Sequence, residues 1–361
     1  MIKNQLRHTA KLLLAAAGLT TCLVVGSSGA VGANELHILN WQGWGTDEPW
    51  AIKQFEEAHS LKIVHDYITS FPETFTKLHT NTGYYDVVDL SPAFTLQAAD
   101  QDLIQPVDVS RLKNFKDIFP DFRDSNQIKR DGKIYAVPWV WGVTSVAYDT
   151  DVFKDPPTSL NVLWDPKYAG RVCLRDDPED VVRLTALALG QNADKPTDMD
   201  AIRQKLRALK PQVKTFWKSE DEWLKLVGAK ECALSTIWTT SVEKAKFAHK
   251  LPVSFFVPQE GALEFRDVLA IPKNAQNLDA AYAFIDYMIS TDFYAGWVKA
   301  GGAPAAANSV AIQQLPDTSL TKSVLAQPDA LKRLNVKGPL TDQQRQSYLD
   351  LWQETKAYYS Q

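Results

Sequence analysis

The sequence predicts an α/β fold made of two α/β lobes joined by two extended hinge segments. Strand and helix patterns alternate in the first part of the chain and again in its second part. Two long extended stretches, at residues 134–149 and 265–272, interrupt that alternation. The chain has 361 residues and 45% hydrophobic content, which exceeds what one ordinary core requires.

The first 33 residues predict a secretory signal peptide. They combine a basic start (Lys3, Arg7, Lys11), an apolar stretch at residues 12–25 and small residues leading to a cut near Ala33. The leader carries those three cations and no acid, so its removal lowers the formal charge from −4 to −7. We therefore expect an exported, periplasmic protein. A mildly acidic chain without basic runs disfavours nucleic acid and anionic membranes as partners.

The first lobe begins with a βαβα pattern, which predicts a mostly parallel sheet. The helix after the first strand is expected to begin at Thr46 or Asp47, and Pro72 opens the next helix. The last strand of this set runs into the turn Ser91-Pro92. The predicted strands cover residues 36–41, 61–68 and 87–90.

The two extended stretches predict crossings between the lobes, because Pro138 and Gly142 do not suit a single central strand. Lobe one is expected to comprise residues 34–141 and 268–310, and lobe two residues 142–267 and 311–361. Asp279 is expected to cap a late helix, and Thr341 with Gln344 predicts a capping box at the C-terminal helix. Lobe two is predicted to hold strands at residues 171–177 and 233–238 and helices at 181–189 and 202–209.

Cys173 and Cys232 remain after removal of the leader, and each lies early in a predicted strand. If those strands are parallel neighbours, a disulfide can form in an oxidising compartment. The alternative is two buried free thiols. The sequence leaves both open.

Several strands end in an aromatic or an acidic residue, which predicts a ligand site beyond the strand ends. Rings there can stack on a cationic ligand, and carboxylates can accept its ammonium hydrogen bonds. In the cluster at residues 176–180 we expect Asp176 to cap the helix while Asp177 and Asp180 project into the cleft. A site of this kind suits an organic cation.

Five segments resemble the spermidine/putrescine-binding proteins of bacterial ABC importers. The resemblance implies a type II periplasmic-binding-protein fold that closes on a linear polyamine and delivers it to an inner-membrane permease. The segments are Asn40-Trp41-Gln42-Gly43-Trp44, Leu163-Trp164-Asp165-Pro166-Lys167-Tyr168-Ala169-Gly170, Asp176-Asp177 with Asp180, Ile237-Trp238, and Asp267-Val268-Leu269-Ala270-Ile271-Pro272-Lys273-Asn274-Ala275.

The resemblance also implies which residues contact the ligand. Asp177, Asp180 and Asp267 would hold amines, and the aromatic residues would form the walls. The sequence departs from the family where Asp180 replaces Glu, Phe265 replaces Trp, Gln42 replaces Thr, Pro92-Ala93 replaces an aromatic residue, and Ala303 replaces Tyr. The implied ligand-binding residues are Trp41, Gln42, Trp44, Ser91, Asp177, Asp180, Trp238, Phe265 and Asp267.

Three alternatives remain open. Arg175 or Arg266, if turned inward, would favour a zwitterion such as an amino acid or γ-aminobutyrate, although strand alternation places Arg266 outward. Tyr84 and Tyr85 are candidate ligands for ferric iron. The third alternative is a hydrolase that uses Asp177 and Asp180 as an acid/base pair, but the sequence has no nucleophile or metal signature to accompany them. We therefore expect a binding protein without catalysis, metal or cofactor, and we expect it to be a monomer.

Overall fold

The computed structural model describes residues 35–301, 303–325 and 328–361. The predicted signal peptide at residues 1–33 lies outside these ranges. Within them, no helix has the length and apolar composition needed to cross a membrane.

The first lobe opens with three strands that pair in parallel, as its βαβα pattern predicts. Strand β1 lies between β2 and β3, with Leu39 opposite both Asp66 and Val88. The elements are β1 (Glu35–Trp41), α1 (Pro49–His59), β2 (Lys62–Ile68), α2 (Phe71–Thr80), β3 (Val87–Leu90) and α3 (Pro92–Asp100).

Helix α1 begins later than predicted, because its N-cap is Glu48. Thr46 is buried and its hydroxyl accepts a hydrogen bond from the Asn40 amide at 2.8 Å. Asp47 accepts one from the Gly43 amide at 2.7 Å. Both candidate caps are thus used within the loop, and Pro49 starts the helix where its missing N–H costs nothing.

Two long strands form the middle of the molecule. Strand β6 (Val137–Asp149) is buried along all 13 residues, and it pairs antiparallel with β11 (Ala262–Ala270). Both lie where the sequence predicts crossings between the lobes. However, β6 is one unbroken strand between β11 and β9, so the expectation that Pro138 and Gly142 do not suit a single central strand is wrong. Between β3 and β6 lie α4 (Pro120–Arg123), β4 (Lys129–Arg130) and β5 (Lys133–Ile134), and 3-10 helices cover Val109–Arg111 and Phe115–Asp117.

A second βα series follows β6, as predicted. Its strands β7 and β9 are parallel neighbours, with Cys173 opposite Ser235. The elements are β7 (Val172–Arg175), α5 (Pro178–Ala188), α6 (Met199–Ala208), β8 (Val213–Trp217), α7 (Glu220–Gly228), β9 (Leu234–Trp238), α8 (Thr239–Phe247) and β10 (Val253–Phe256), with 3-10 helices at Leu160–Trp164, Pro166–Tyr168 and Lys210–Gln212.

The chain after β11 is mainly helical. The N-cap of α9 is Asn277, so the prediction of Asp279 as the cap is wrong; Asp279 lies in the first turn and pairs with Arg111. The capping box of Thr341 and Gln344 is confirmed. The elements are α9 (Leu278–Met288), α10 (Thr291–Ala300), β12 (Ala305–Ala306), α11 (Leu320–Leu325), α12 (Pro328–Leu331), β13 (Leu334–Val336) and α13 (Asp342–Tyr359), with a 3-10 helix at Ala311–Gln314.

Eleven of the described strands join in one sheet with central order β2-β1-β3-β11-β6-β9-β7-β8, and β4 and β5 form a separate two-stranded sheet. Strands β10 and β12 add to β6, and β13 adds to β11. The buried side chains fall into separate cores: two are built largely from residues before Thr144 and after Asp267, and two largely from the segment between them. This division agrees with a two-lobe architecture, while the lobe boundaries themselves stay a prediction.

Cys173 and Cys232 form a disulfide. Cys173 lies in β7, and Cys232 lies just before β9, so the bridge joins two neighbouring parallel strands. The structure thereby decides between the two states that the sequence leaves open.

Candidate functional site

The loop after β1 places two tryptophans at the end of the sheet. The Asn40 side chain shapes this loop, because its amide donates to the Trp44 carbonyl at 3.0 Å and its oxygen accepts from the Trp41 amide at 2.7 Å. Gly45 has φ +73°, and a Cβ there would lie 2.6 Å from the Trp297 ring. Glycine is required at this position, and it lets Trp44 rest edge-on against Trp297.

Trp44 connects this loop to β11. Its indole N–H donates to Asp267 at 2.8 Å, and its ring lies 6.4 Å from that of Phe265. Phe265 packs over Gly142 of β6, where any Cβ would collide with the ring. The structure therefore brings together Trp44, Phe265 and Asp267, three of the residues predicted to bind ligand.

Three further residues predicted to bind ligand lie at the ends of β7 and β9, namely Asp177, Asp180 and Trp238. Asp177, not Asp176, is the N-cap of α5, and its carboxylate accepts from the Asp180 amide at 2.9 Å. The prediction that Asp176 caps this helix is wrong. Asp176 instead accepts from the Trp352 indole and the Lys356 ammonium, both at 2.7 Å, so the C-terminal helix α13 takes it out of the site.

Asp177 and Asp180 already hold protein cations. Arg175 Nη1 lies 2.9 Å from Asp177 and 2.8 Å from Asp180, and Lys337 Nζ lies 3.1 Å from the other oxygen of Asp180. The guanidinium of Arg175 also stacks on Trp238, 4.2 Å from the ring centre. We call Asp177, Asp180, Arg175 and Lys337 the paired end of the site.

Burial and pairing act in opposite directions on Asp180. Its side chain is 1% exposed, and burial alone would raise its pKa, but Lys337 and Arg175 hold that pKa below its usual range. The pKa of Lys337 is raised in turn, because Asp180 and Glu179 outweigh its burial. Asp180 is therefore ionised, and two protein cations neutralise its charge.

Asp267 has a different environment. It is buried, which raises its pKa to about 7 against the opposing effects of the Trp44 hydrogen bond and of the Lys337 charge. Asp89 of β3 is fully buried, and burial together with the charge of Asp267 raises its pKa well above the ordinary value. We call Asp89 and Asp267 the unpaired end, since neither makes an ion pair within the described ranges.

The remaining predicted residues lie around these groups. Trp41, at the end of β1, contacts the edge of Phe71 at 5.2 Å. Ser91 is the N-cap of α3, where its hydroxyl accepts from the Ala93 amide at 3.4 Å. Gln42 is exposed to solvent. The ligand roles of these residues stay predictions.

Sequence reasoning missed Asp89 and Lys337. Asp89 interrupts the apolar run of β3, and an acid inside a fully buried strand is a signal that the sequence does offer. Lys337 follows β13, a short strand paired with β11, and its neighbours in sequence give no comparable signal. Long-range pairing alone places its ammonium beside Asp180.

Two alternatives from the sequence can be located. Tyr85 donates to Asp66 at 2.6 Å, and burial raises the pKa of both Tyr84 and Tyr85, which disfavours the tyrosinates that ferric iron would need. Arg266 pairs with Glu264 at 2.6 Å and lies over the Phe122 ring. Among the described residues, no group of three His, Cys, Asp or Glu side chains is arranged to hold a metal ion.

Comparison with known proteins identifies relatives along nearly the whole described chain. A family described as bacterial extracellular solute-binding protein matches residues 50–358. The chain is 30% identical over 296 residues to a spermidine/putrescine-binding periplasmic protein of Escherichia coli (strain K12), covering 81% of each. It is 27% identical to a putrescine/cadaverine-binding protein of Pseudomonas aeruginosa, covering 96% of this chain and 99% of the relative.

Solved structures show the same fold. A spermidine/putrescine ABC transporter substrate-binding protein from Streptococcus pneumoniae superposes with a TM-score of 0.79 at 23% identity, covering 90% of this chain and 99% of that one. The type II periplasmic-binding-protein fold predicted from the sequence is confirmed.

Proposed function

Because the chain belongs to the bacterial extracellular solute-binding protein family, we propose that it captures a linear polyamine for an ABC importer. The ligand lies between the two lobes, and the protein delivers it to a membrane permease without altering it. The relatives at 25–30% identity are named for spermidine, putrescine or cadaverine, which favours a polyamine over a zwitterion.

The observation that carries this proposal is the contact between Trp44 and Asp267. It places a carboxylate against two aromatic rings, those of Trp44 and Phe265, at the carboxyl ends of the parallel strands. An ammonium can bond the acid while the methylene chain lies along the rings. Cation–π contacts there contribute about 0.5 to 2 kcal/mol each.

A zwitterionic ligand would need a protein cation to bind its carboxylate, and Arg175 is the candidate. Its guanidinium lies within the site, yet it already bonds Asp177 and Asp180 and stacks on Trp238. A ligand carboxylate would have to compete with two acids of the protein for this group. We therefore keep γ-aminobutyrate as a competitor in the binding experiment, not as a second function.

Calorimetry with putrescine, spermidine and γ-aminobutyrate tests the proposal. We expect the two polyamines to bind with a free energy near 8 kcal/mol, about micromolar affinity, and γ-aminobutyrate not to bind. Asp267→Asn should weaken polyamine binding at least about tenfold, since it removes a charged acceptor. Asp279→Asn is the matched control, because Asp279 is exposed and pairs with Arg111. Binding of γ-aminobutyrate alone would refute the polyamine assignment.

We also propose that the chain functions in the periplasm as a monomer. Two relatives from Escherichia coli are named as periplasmic proteins, and the disulfide of Cys173 and Cys232 suits an oxidising compartment. Cell fractionation with N-terminal sequencing tests the location. We expect the protein in the periplasmic fraction with its first residue just after Ala33, and recovery in the cytoplasm with an intact leader would contradict the assignment.

A further inference from the structure

Asp89 is a buried acid that neither the sequence analysis nor the proposed function uses. Its side chain is 0% exposed, and within the described part of the chain neither of its carboxyl oxygens has a hydrogen-bond partner. The Trp41 indole and the Leu90 amide act to lower the pKa of Asp89, but neither N–H group has the geometry of a hydrogen bond to it. Buried polar groups are rarely left in this state, so it requires an explanation.

Strand register places Asp89 beside Asp267. Strands β3 and β11 pair antiparallel, with Asp89 directly opposite Leu269. Residues opposite one another share a sheet face. The register of β11 with β6 shifts between Asp267 and Val268, but the extra residue, Trp139, belongs to β6, so the alternation along β11 continues and Asp267 shares the face of Leu269. The cores agree with this geometry, because Val87 and Leu269 pack into one core while Val88, Leu90 and Val268 pack into another.

Among the residues that the structure describes, no cationic side chain is in direct contact with this pair. Strand β6 faces Asp267 with Val140, and β1 ends beside Asp89 with the neutral Asn40, one residue past the paired Leu39. Trp44 donates one hydrogen bond to Asp267. Lys337 acts on Asp267 through its field, but its ammonium contacts Asp180. Two adjacent buried carboxyls without a contacting cation cannot both ionise.

Resting on the proposed function, we infer that Asp89 and Asp267 together form the subsite for one ammonium group of the polyamine, which replaces a proton that the pair retains in the free protein. On binding, an O–H bond of the pair breaks, the proton leaves to solvent, and the ammonium N–H groups donate to the freed carboxylate oxygens. The orphaned oxygens of Asp89 thereby gain donors. Asp89 thus selects for a cationic group at this end of the ligand.

The test counts the protons released when putrescine binds at pH 8, by calorimetry in two buffers of different ionisation enthalpy. At that pH Asp267 has largely lost its own proton, whereas burial and the charge of Asp267 raise the pKa of Asp89, so we expect the pair to retain one proton. We expect the wild-type protein to release close to one proton. Linkage then strengthens putrescine binding by up to about tenfold per pH unit above pH 7.

Asp89→Asn is the decisive variant. We expect it to release almost no proton at pH 8, to bind putrescine at least about tenfold more weakly, and to show an affinity that levels off above pH 7. Asp149→Asn is the matched control, because Asp149 is a buried acid whose partners, Lys230 and the Asp151 amide, lie at the far end of β6. The control should keep the wild-type proton count and affinity.

The outcomes separate the inference from the proposed function. The inference is overturned if the wild type binds polyamine at pH 8 without releasing a proton. It is also overturned if Asp89→Asn releases as many protons and binds as tightly as the wild type. Either result leaves the proposed function intact. No polyamine binding by the wild type overturns both. If Asp89→Asn does not fold, infrared spectroscopy of the wild type decides: the carboxylic-acid band of a protonated side chain must disappear on putrescine binding, and a band that persists refutes the inference.

Discussion

The two ends of the candidate site contain the same kind of residue in opposite electrostatic states. At the paired end, Asp180 is buried between Arg175 and Lys337, and these cations keep it ionised. At the unpaired end, Asp89 and Asp267 are also buried, no cation of the described chain contacts them, and their pKa values are raised. Burial is common to both, so the presence of an internal cation decides the charge of each acid.

This difference indicates which end of the site can still attract a cationic ligand. An ammonium approaching Asp180 meets a carboxylate already neutralised by two protein cations, and it must displace one of them. An ammonium approaching Asp89 and Asp267 displaces only a proton. We therefore expect the unpaired end to anchor the ligand, with the paired end holding lobe-two elements in position.

Removal of the disulfide should produce the largest loss of stability. Cys173 and Cys232 are 59 residues apart, and bridging a loop of that length stabilises a protein by about 4 kcal/mol. The bridge lies in β7 close to Arg175, so the loss should loosen the paired end. We expect Cys173→Ala with Cys232→Ala to lower the free energy of unfolding in urea by about that amount. The control is wild type treated with a reductant, which should match the variant; a loss below about 1 kcal/mol would be inconsistent with the bridge.

The same substitution at both ends tests the comparison directly. Asp180→Asn removes the acid that Lys337 contacts and leaves Arg175 with Asp177 alone, so it should lower the free energy of unfolding by about 3 kcal/mol at pH 7. Asp89→Asn replaces an acid whose burial raises its pKa and favours the neutral form, so the free energy of unfolding should change by less than about 1 kcal/mol. Urea unfolding of both variants measures the difference. Equal losses would show that the two ends do not differ as described.

The dependence of stability on pH should distinguish the acids by sign. Asp267 binds a proton more tightly when folded, because burial raises its pKa to about 7, so its contribution falls as the pH rises from 4 to 7. Asp180 has the opposite sign, since its lowered pKa gives stability that is lost only in acid. Between pH 5 and pH 7, the free energy of unfolding of Asp267→Asn should rise by about 2 kcal/mol relative to that of the wild type. Urea unfolding at both pH values checks this, and a parallel response of the two proteins would contradict it.

Much of the fold could be predicted because its signals are local. The buried strand at residues 87–90, the βαβα order and the capping box of Thr341 and Gln344 each follow from short patterns of residue types. The cap of α1 was missed because Thr46 and Asp47 are used by Asn40 and Gly43 within the preceding loop. Such competition between partners depends on the folded loop and is not visible in the sequence.

The spatial grouping of several candidate site residues was predictable from the sequence, but their charge pairing was not. Strand ends correctly place Trp44, Phe265 and Asp267 together, and Asp177, Asp180 and Trp238 together. The pairing of Asp180 with Lys337 spans 157 positions and depends on β13 adding to β11. No local pattern encodes that contact, so the sequence predicts Asp180 as a counter-charge that is free to bind the ligand.

The smallest effect concerns the two tryptophans at the strand ends. The Arg175 guanidinium already stacks on Trp238, whereas no lysine or arginine stacks on Trp41 within the described ranges. A ligand cation can therefore gain more from Trp41. We expect Trp41→Leu to weaken putrescine binding by about 1 kcal/mol, roughly fivefold, and Trp238→Leu by less than about twofold. Calorimetry of both variants at pH 8 measures the ratio. A larger loss from Trp238→Leu would mean that the ligand displaces Arg175, and the paired end would then be the anchor.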